Sequence, residues 1–392
     1  MSRVAAPISD ATQPLSQVLA QLPVPVRKVH SDEPALQAAA QPKPFEAPQG
    51  PVEQAVAAIW RSLFNKEQIS RHDDFFQLGG ISLMAVQMTS RLRKVLGKPV
   101  AVRDLFVEPT LAGFARTLSG EAGQGQASNL VPVRPRGERR PLFLVHPLGG
   151  EVQYAYDLAA ALPDSLPVYG LAASGMKADE SVLSDVPAMA SRYLAAIRQV
   201  QGRGPYRIAG WSAGGLIAYE MARQLQASGE RLEFLGIIDA SARTEAEAGP
   251  APSEAQFLMA WLPQSIPEDL HQRLQSLAED NAVEPMLALC SEHGLQPEEL
   301  PVGIDLALLR SHLAVAWGIR KAVGAYVTPP STLSLKLFSA ADQPRQDPTL
   351  GWTQVVGEQV QAVALPGTHN SLVKAPYVQA LGEAIDKVLQ EA

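Results

Sequence analysis

A serine set between two glycines, Gly210-Trp211-Ser212-Ala213-Gly214, limits the folds open to this chain more than any other stretch. Tyr206 to Ala209 before it is a short, mostly apolar run, while Leu216, Ile217, Tyr219, Met221, Ala222 and Leu225 after it recur at helical spacing. A strand therefore passes into a helix through a turn of small residues. Such a turn holds a serine hydroxyl clear of the backbone only if its neighbours carry little side chain, and Gly210 and Gly214 meet that need. Ser212 is the candidate nucleophile.

The surrounding sequence has the alternation that this turn requires. Leu142-Phe143-Leu144-Val145 is a buried-strand run ending in His146-Pro147-Leu148-Gly149-Gly150, followed by a helix through Tyr154, Leu158 and Leu162. A strand at Val168 to Leu171, a helix at 187–200, the strand at 206–209, the helix after Ser212 and the strand Leu232 to Ile238 come next. Later strands are expected at Leu333 to Phe338 and Val360 to Leu365, with a closing helix from about Val373 to Leu389. This order predicts an α/β-hydrolase domain over 141–392: a mainly parallel sheet with helices on both faces. Between Asp239 and Leu333 the strand pattern lapses. Helical segments at Ala255–Leu262, Leu270–Leu277, Val283–Leu289 and Ile304–Gly324 read as an inserted lid, about 245–328.

The N-terminal part differs in kind. Residues 1–49 are rich in Pro, Ala, Gln and Ser and read as a linker or disordered tail, with a brief docking helix expected at Leu15 to Leu22. From Pro51, the residues Val52, Val56, Ile59, Trp60, Leu63 and Phe64 give one apolar helical face. A second helix runs through Met84, Val86, Met88 and Leu92 to Leu96 and stops at Gly97. A short turn of helix at Val102 to Phe106 and a last helix capped by Thr110 complete a four-helix bundle over 50–120. Residues 121–140, with Gly123, Gly125 and then Arg134, Arg136, Arg139 and Arg140, read as a flexible linker whose arginines are a solvated boundary.

Composition removes several function classes. The 392 residues carry a formal net charge of -7, which gives no reason to expect a nucleic-acid partner. One cysteine, Cys290, allows neither an intrachain disulfide nor a multi-cysteine metal site, so a buried apolar role and no metal are expected. No stretch approaches the ~18 apolar residues of a membrane helix and no signal-type segment opens the chain, so a cytoplasmic protein without membrane contact is expected.

Asp73-Asp74-Phe75-Phe76-Gln77-Leu78-Gly79-Gly80-Ile81-Ser82-Leu83 resembles the signature of peptidyl carrier, or thiolation, domains of nonribosomal peptide synthetases. Polyketide and fatty-acid carriers usually have Asp before the serine, where this chain has Ile81. The resemblance implies that Ser82 receives a 4'-phosphopantetheine arm, with Gly79 and Gly80 leaving room for a phosphopantetheinyl transferase and Leu83 helping to dock it. The position suits a phosphodiester on physical grounds, since the N-H groups and dipole at the start of a helix favour an anion.

The chemistry of Ser212 needs a base and an acid. Of the seven histidines, only His146 and His369 follow an expected strand of the sheet. His369, in Gly367-Thr368-His369-Asn370, lies between the last strand and last helix, where the Ser, acid, His order of α/β hydrolases puts the base. His146 stands in the loop expected to form the oxyanion hole and reads as structural. Two acids remain open on position alone, Asp239 after the strand that follows the elbow helix and Asp342 after the next strand. The oxyanion hole is expected from the backbone N-H groups of Leu148 and Ala213.

The elbow, His146-Pro147-Leu148-Gly149-Gly150 and Gly367-Thr368-His369 together resemble the type I thioesterases that end peptide synthetases. That resemblance implies Asp239 as the acid, while Asp342 matches the position used by many other α/β hydrolases. Carrier followed by thioesterase implies release of a peptidyl or acyl chain by transfer to the serine, then hydrolysis or cyclisation. It implies upstream condensation and adenylation domains as partners. A flexible tether would set the encounter of the two modules by effective concentration. The alternatives are an editing acyl hydrolase, the terminal pair of a hybrid polyketide-peptide synthase, and a non-catalytic carrier with a decayed hydrolase. The linker-like start is also consistent with a piece of a larger synthetase.

Overall fold

Trp60 and Phe75, both fully buried, anchor the core of the N-terminal helical domain. In the computed structural model, the described residues are 45–75, 78–80, 82–97, 100, 104–105, 108–119, 129–175, 180–245, 251–263, 265–297, 306–343 and 345–391. The expected helix at Leu15 to Leu22 and the expected tail before residue 45 lie outside them, as does most of 101–107. Helices α1 (Gly50–Phe64), α2 (Ser82–Leu96) and α3 (Leu111–Ser119) close over Val56, Trp60, Phe75, Met88, Leu92 and Phe114. Trp60, Phe64 and Phe75 meet edge to face at 5.1–6.2 Å, and such pairs add about 0.5–1.5 kcal/mol each beyond burial. Thr110 Oγ1 accepts from Gly113 N at 3.2 Å at the start of α3, and Gly97, at φ +64°, ends α2.

The second domain is built on a seven-stranded sheet in the order β1-β3-β2-β4-β5-β6-β7. Its strands are β1 (Leu130–Arg134), β2 (Leu142–Val145), β3 (Val168–Leu171), β4 (Tyr206–Trp211), β5 (Leu232–Ile238), β6 (Leu335–Ala340) and β7 (Val360–Leu365). All pairings are parallel except β1 with β3. Helices α4 (Tyr154–Ala160), α5 (Val186–Ile197) and α6 (Ala213–Ala227) lie among these strands in sequence. Alternate residues of a strand feed opposite layers. Phe143, Val145 and Ile208 pack with α5 and α6, whereas Leu142, Leu144, Ala209 and Trp211 pack with α4 and the closing helix. Burial on both faces is why these strands read as continuous apolar runs.

The lid helices α7 (Glu254–Trp261), α8 (Glu268–Glu279), α9 (Val283–Glu292) and α10 (Leu306–Ala325) share their own apolar cluster, and α10 also packs on α6 through Val315 and Ile319. Cys290 sits inside that cluster, where burial pushes its thiol up to about 11. It is an apolar core residue.

Four sequence expectations are corrected. Leu130–Arg134, assigned to the 121–140 linker, is an antiparallel edge strand. Its arginine is not a solvated boundary: Arg134 donates to the carbonyls of Ala159, Leu162, Pro163 and Leu166 at 2.6–3.1 Å, filling acceptors left open beyond α4. Arg139 pairs with Asp386 at 2.6 Å and Arg140 with Glu233 at 2.8 Å. After a short α11 (Trp352–Val356), the closing helix α12 spans Val378–Glu391 rather than starting at Val373, because Pro376 offers no N-H and restricts the residue before it. Strand β4 runs on to Trp211, directly into the turn. Among the described residues no helix is long and apolar enough to cross a membrane.

Candidate active site

The parallel register brings the reactive groups to one edge of the sheet. Trp211 pairs with Ile238, so the residues that follow, Ser212 and Asp239, leave β4 and β5 at the same level. Ser212 N donates to Ile238 O at 3.0 Å and Asp239 N to Phe338 O at 2.8 Å, which locks both departures. Both residues have positive φ, 57° for Ser212 and 45° for Asp239, a conformation that costs energy for any residue but glycine.

The two glycines of the turn have no room for a side chain. A Cβ on Gly210 would lie 2.0 Å from Gly214 O, and one on Gly214 would lie 2.5 Å from the carbonyl oxygens of Val145 and His146. Gly215 is similarly confined, since a Cβ there would lie 2.7 Å from Ala240 Cβ. Gly210→Ala is therefore expected to cost at least about 2 kcal/mol through forced backbone movement, read as a lower urea midpoint with little change in slope. An unchanged midpoint would remove the close-contact argument.

His369 joins the two strand ends. Its Nδ1-H donates to Asp239 Oδ2 at 2.7 Å, and its Nε2 lies 3.1 Å from Ser212 Oγ, placed to accept from the hydroxyl. Trp211 Nε1-H donates to His369 O at 3.2 Å, and the two rings lie tilted by 37° with centroids 5.4 Å apart. The Asp239 side chain is fully buried. Burial by itself opposes ionisation, but bonds from His369 and from Ala340 N, with Arg345 nearby, outweigh it and hold the carboxyl below its usual range. Asp342 is exposed, and its carboxylate makes no hydrogen bond or ion pair with a described residue. Its backbone N is instead tied to Gly367 O.

Arg345 is the member of this group that sequence reasoning missed. Its Nη2 lies 3.2 Å from Asp239 Oδ2 and 3.4 Å from Oδ1. It comes from the loop after β6, and nothing in its local sequence distinguishes it from a surface arginine. His146 stands apart from the reactive group. It is fully buried, donates from Nδ1 to Pro147 O at 2.8 Å and accepts at Nε2 from Tyr193 Oη at 2.6 Å, and burial lowers its pKa to about 4. It is a neutral brace for the loop that carries Leu148.

Ser212 opens into a cavity of about 260 Å³ whose walls include Leu148, Ala213, Leu216, Asp239 and Val323. The two residues expected to form the oxyanion hole therefore line the same space as the hydroxyl. In the first domain, Ser82 is the first residue of the 15-residue α2, which carries no acidic residue in its first turn. Gly79 has φ +94°, and a Cβ on Gly80 would lie 2.2 Å from the Phe75 ring and 2.5 Å from Phe75 O. The backbone before Ser82 thus lies tight against the core, and a helix start without carboxylates suits a phosphodiester.

Residues 140–389 match the family model for the thioesterase domain, and residues 54–118 match the model for a phosphopantetheine attachment site. The chain belongs to the thioesterase family. Its first domain is a phosphopantetheine carrier. Among curated relatives, a dimodular nonribosomal peptide synthase of Bacillus subtilis is 36% identical over 215 residues, which is 55% of this chain and 9% of that protein. Chondramide synthase cmdD of Chondromyces crocatus is 28% identical over 372 residues, covering 88% of this chain and 9% of the relative. A solved four-domain nonribosomal peptide synthetase, in its holo form with AMP and glycine, superposes over 91% of this chain and 27% of its own at a TM-score of 0.61 and 27% identity. The thioesterase chain thus spans a small fraction of each of these relatives.

Proposed function

We propose that this chain performs chain release in nonribosomal peptide biosynthesis, taking a peptidyl or acyl group from a thioester carried at Ser82 onto Ser212 and then passing it to a second nucleophile. The observation that supports it is the bonding of His369 to both Asp239 and Ser212 beside a cavity, in one chain with a carrier domain.

A 4'-phosphopantetheine on Ser82 supplies, when attached, a thiol on a long arm that holds the acyl group as a thioester. The chain's own residues do the rest. Ser212 Oγ attacks the thioester carbonyl as His369 Nε2 takes its proton, and Asp239 stabilises the resulting imidazolium through Nδ1. The backbone N-H groups of Ala213 and Leu148 are assigned to the developing oxyanion. His369 returns the proton to the departing thiolate, leaving an ester on Ser212. It then takes a proton from water, or from an amine or hydroxyl of the chain itself, as that group attacks the ester carbonyl, and gives the proton to the departing Ser212 Oγ, so that the ester opens to acid or ring. Upstream condensation and adenylation domains would supply the chain, and a phosphopantetheinyl transferase the arm.

The reading is tested by intact-mass analysis after incubation with such a transferase and an acyl-coenzyme A donor. Wild type should gain the arm and acyl mass on Ser82 and then acyl mass on Ser212. Ser82→Ala should gain neither from that donor. Arm mass mapped to another residue, or acyl mass that never leaves Ser82, would overturn it.

A further inference from the structure

The cavity beside Ser212 is apolar along Leu148, Leu216 and Val323, yet two arginines also form its wall, Arg243 and Arg320. Arg320 projects from α10, the last lid helix, and Arg243 from the segment after β5. Both guanidinium groups converge on Gly324. Arg243 Nη2 lies 3.4 Å from Gly324 O, and a Cβ built on Gly324 would stand 3.4 Å from Arg320 Nη1. Arg320 forms no hydrogen bond or ion pair with a described residue. The one carboxylate in the wall, Asp239, is committed to His369, Ala340 N and Arg345. The Arg320 charge thus stands at a partly apolar wall without a carboxylate partner among the described residues, and an anion seated beside it would compensate it. An arginine fork also matches a carboxylate in shape as well as charge.

We propose that the cavity beside Ser212 is an anion-accepting acyl subsite, in which Arg320, with Arg243 beside it, pairs with a carboxylate borne by the acyl chain near its reacting end. The substrate class is then an acidic peptidyl or acyl thioester. The phosphodiester of a pantetheine arm is a different anion, but the whole arm separates it from the thioester, so it cannot enter a cavity that Ser212 itself lines. The inference rests on Ser212 being the residue that is acylated, and it deepens that reading by naming what the acyl pocket selects.

The test uses the full chain and N-acetylcysteamine thioesters of N-acetyl dipeptides carrying Glu, Gln or Lys at either of the last two positions. At one position, kcat/KM for Glu should exceed that for Gln by about tenfold or more, since a charge-assisted hydrogen bond contributes on that scale. Lys should fall below Gln, and added salt should shrink the preference. Arg320→Gln should bring the Glu to Gln ratio towards one, Arg320→Lys should keep part of it, and Arg320→Glu should favour Lys. Equal kcat/KM for Glu and Gln at both positions in wild type, or a ratio that survives Arg320→Gln, would overturn the subsite. Acylation of Ser212 by every thioester without charge preference sinks the inference alone. Absence of acyl mass on Ser212 with every thioester sinks the release reading, and the inference with it.

Discussion

Ser212→Ala is expected to load its arm normally and then to stop, with acyl mass accumulating on Ser82 and release falling on the order of 10⁶-fold, the loss seen when the nucleophile of a serine triad is removed. The size follows from the geometry. The hydroxyl is the group that His369 can activate at 3.1 Å, and it stands on a turn whose positive φ serves to expose it. Without it, water would have to attack the thioester unaided by a covalent step, with only the cavity and its backbone donors in place. The substitution removes one oxygen from a partly exposed side chain, so a stability loss cannot account for such an effect. The measurement is a single-turnover time course of acyl mass on Ser82 and of free product. Undiminished release by this variant would withdraw Ser212 as the acceptor.

The second large effect separates the two candidate acids. Asp239→Asn is expected to slow release about 10⁴-fold with folding retained, because an amide that donates to Nδ1 holds the imidazole in the tautomer that cannot take the serine proton. It also leaves Arg345 without the carboxylate it faces at 3.2 Å, so the loss should exceed that of a hydrogen bond alone. Asp342→Asn is expected to change release little, since that carboxylate is exposed and, among the described residues, its residue is held through its backbone alone. The two variants and wild type should be compared by single turnover and by thermal unfolding. A much larger kinetic loss at Asp342 would reverse the assignment.

The legible parts of this molecule were those in which local chemistry and final environment agree. Leu142–Val145, Val168–Leu171 and Leu232–Ile238 have the bounds their apolar runs predict, because each strand is buried on both faces. The lid helices fall within a few residues of their expected positions, since each has an apolar stripe with a single place to go. β1 was not legible. Pro132 interrupts it, only Val131 is well buried, and it pairs along one side with β3, so neither alternation nor an apolar run marks it. The arginine cluster that followed looked solvated for the same reason: the carbonyls of Ala159, Leu162, Pro163 and Leu166 that occupy Arg134 come from residues 25 to 32 positions away.

Small residues, strand runs and helix stripes suffice to declare a strand-turn-helix serine, a histidine between the last strand and the last helix, and a serine opening a helix in a separate bundle. Those features are local, written in side-chain size and periodicity. Which carboxylate meets His369 is another kind of fact. It depends on the register of β5 between β4 and β6, which sets Asp239 level with Ser212 and leaves Asp342 beyond the end of its strand in solvent. Arg345 on that carboxylate, and Arg243 and Arg320 converging on Gly324, likewise arise from loops and helices far apart in the chain. Pairings across such separations are decided by packing, and no single stretch of sequence encodes them.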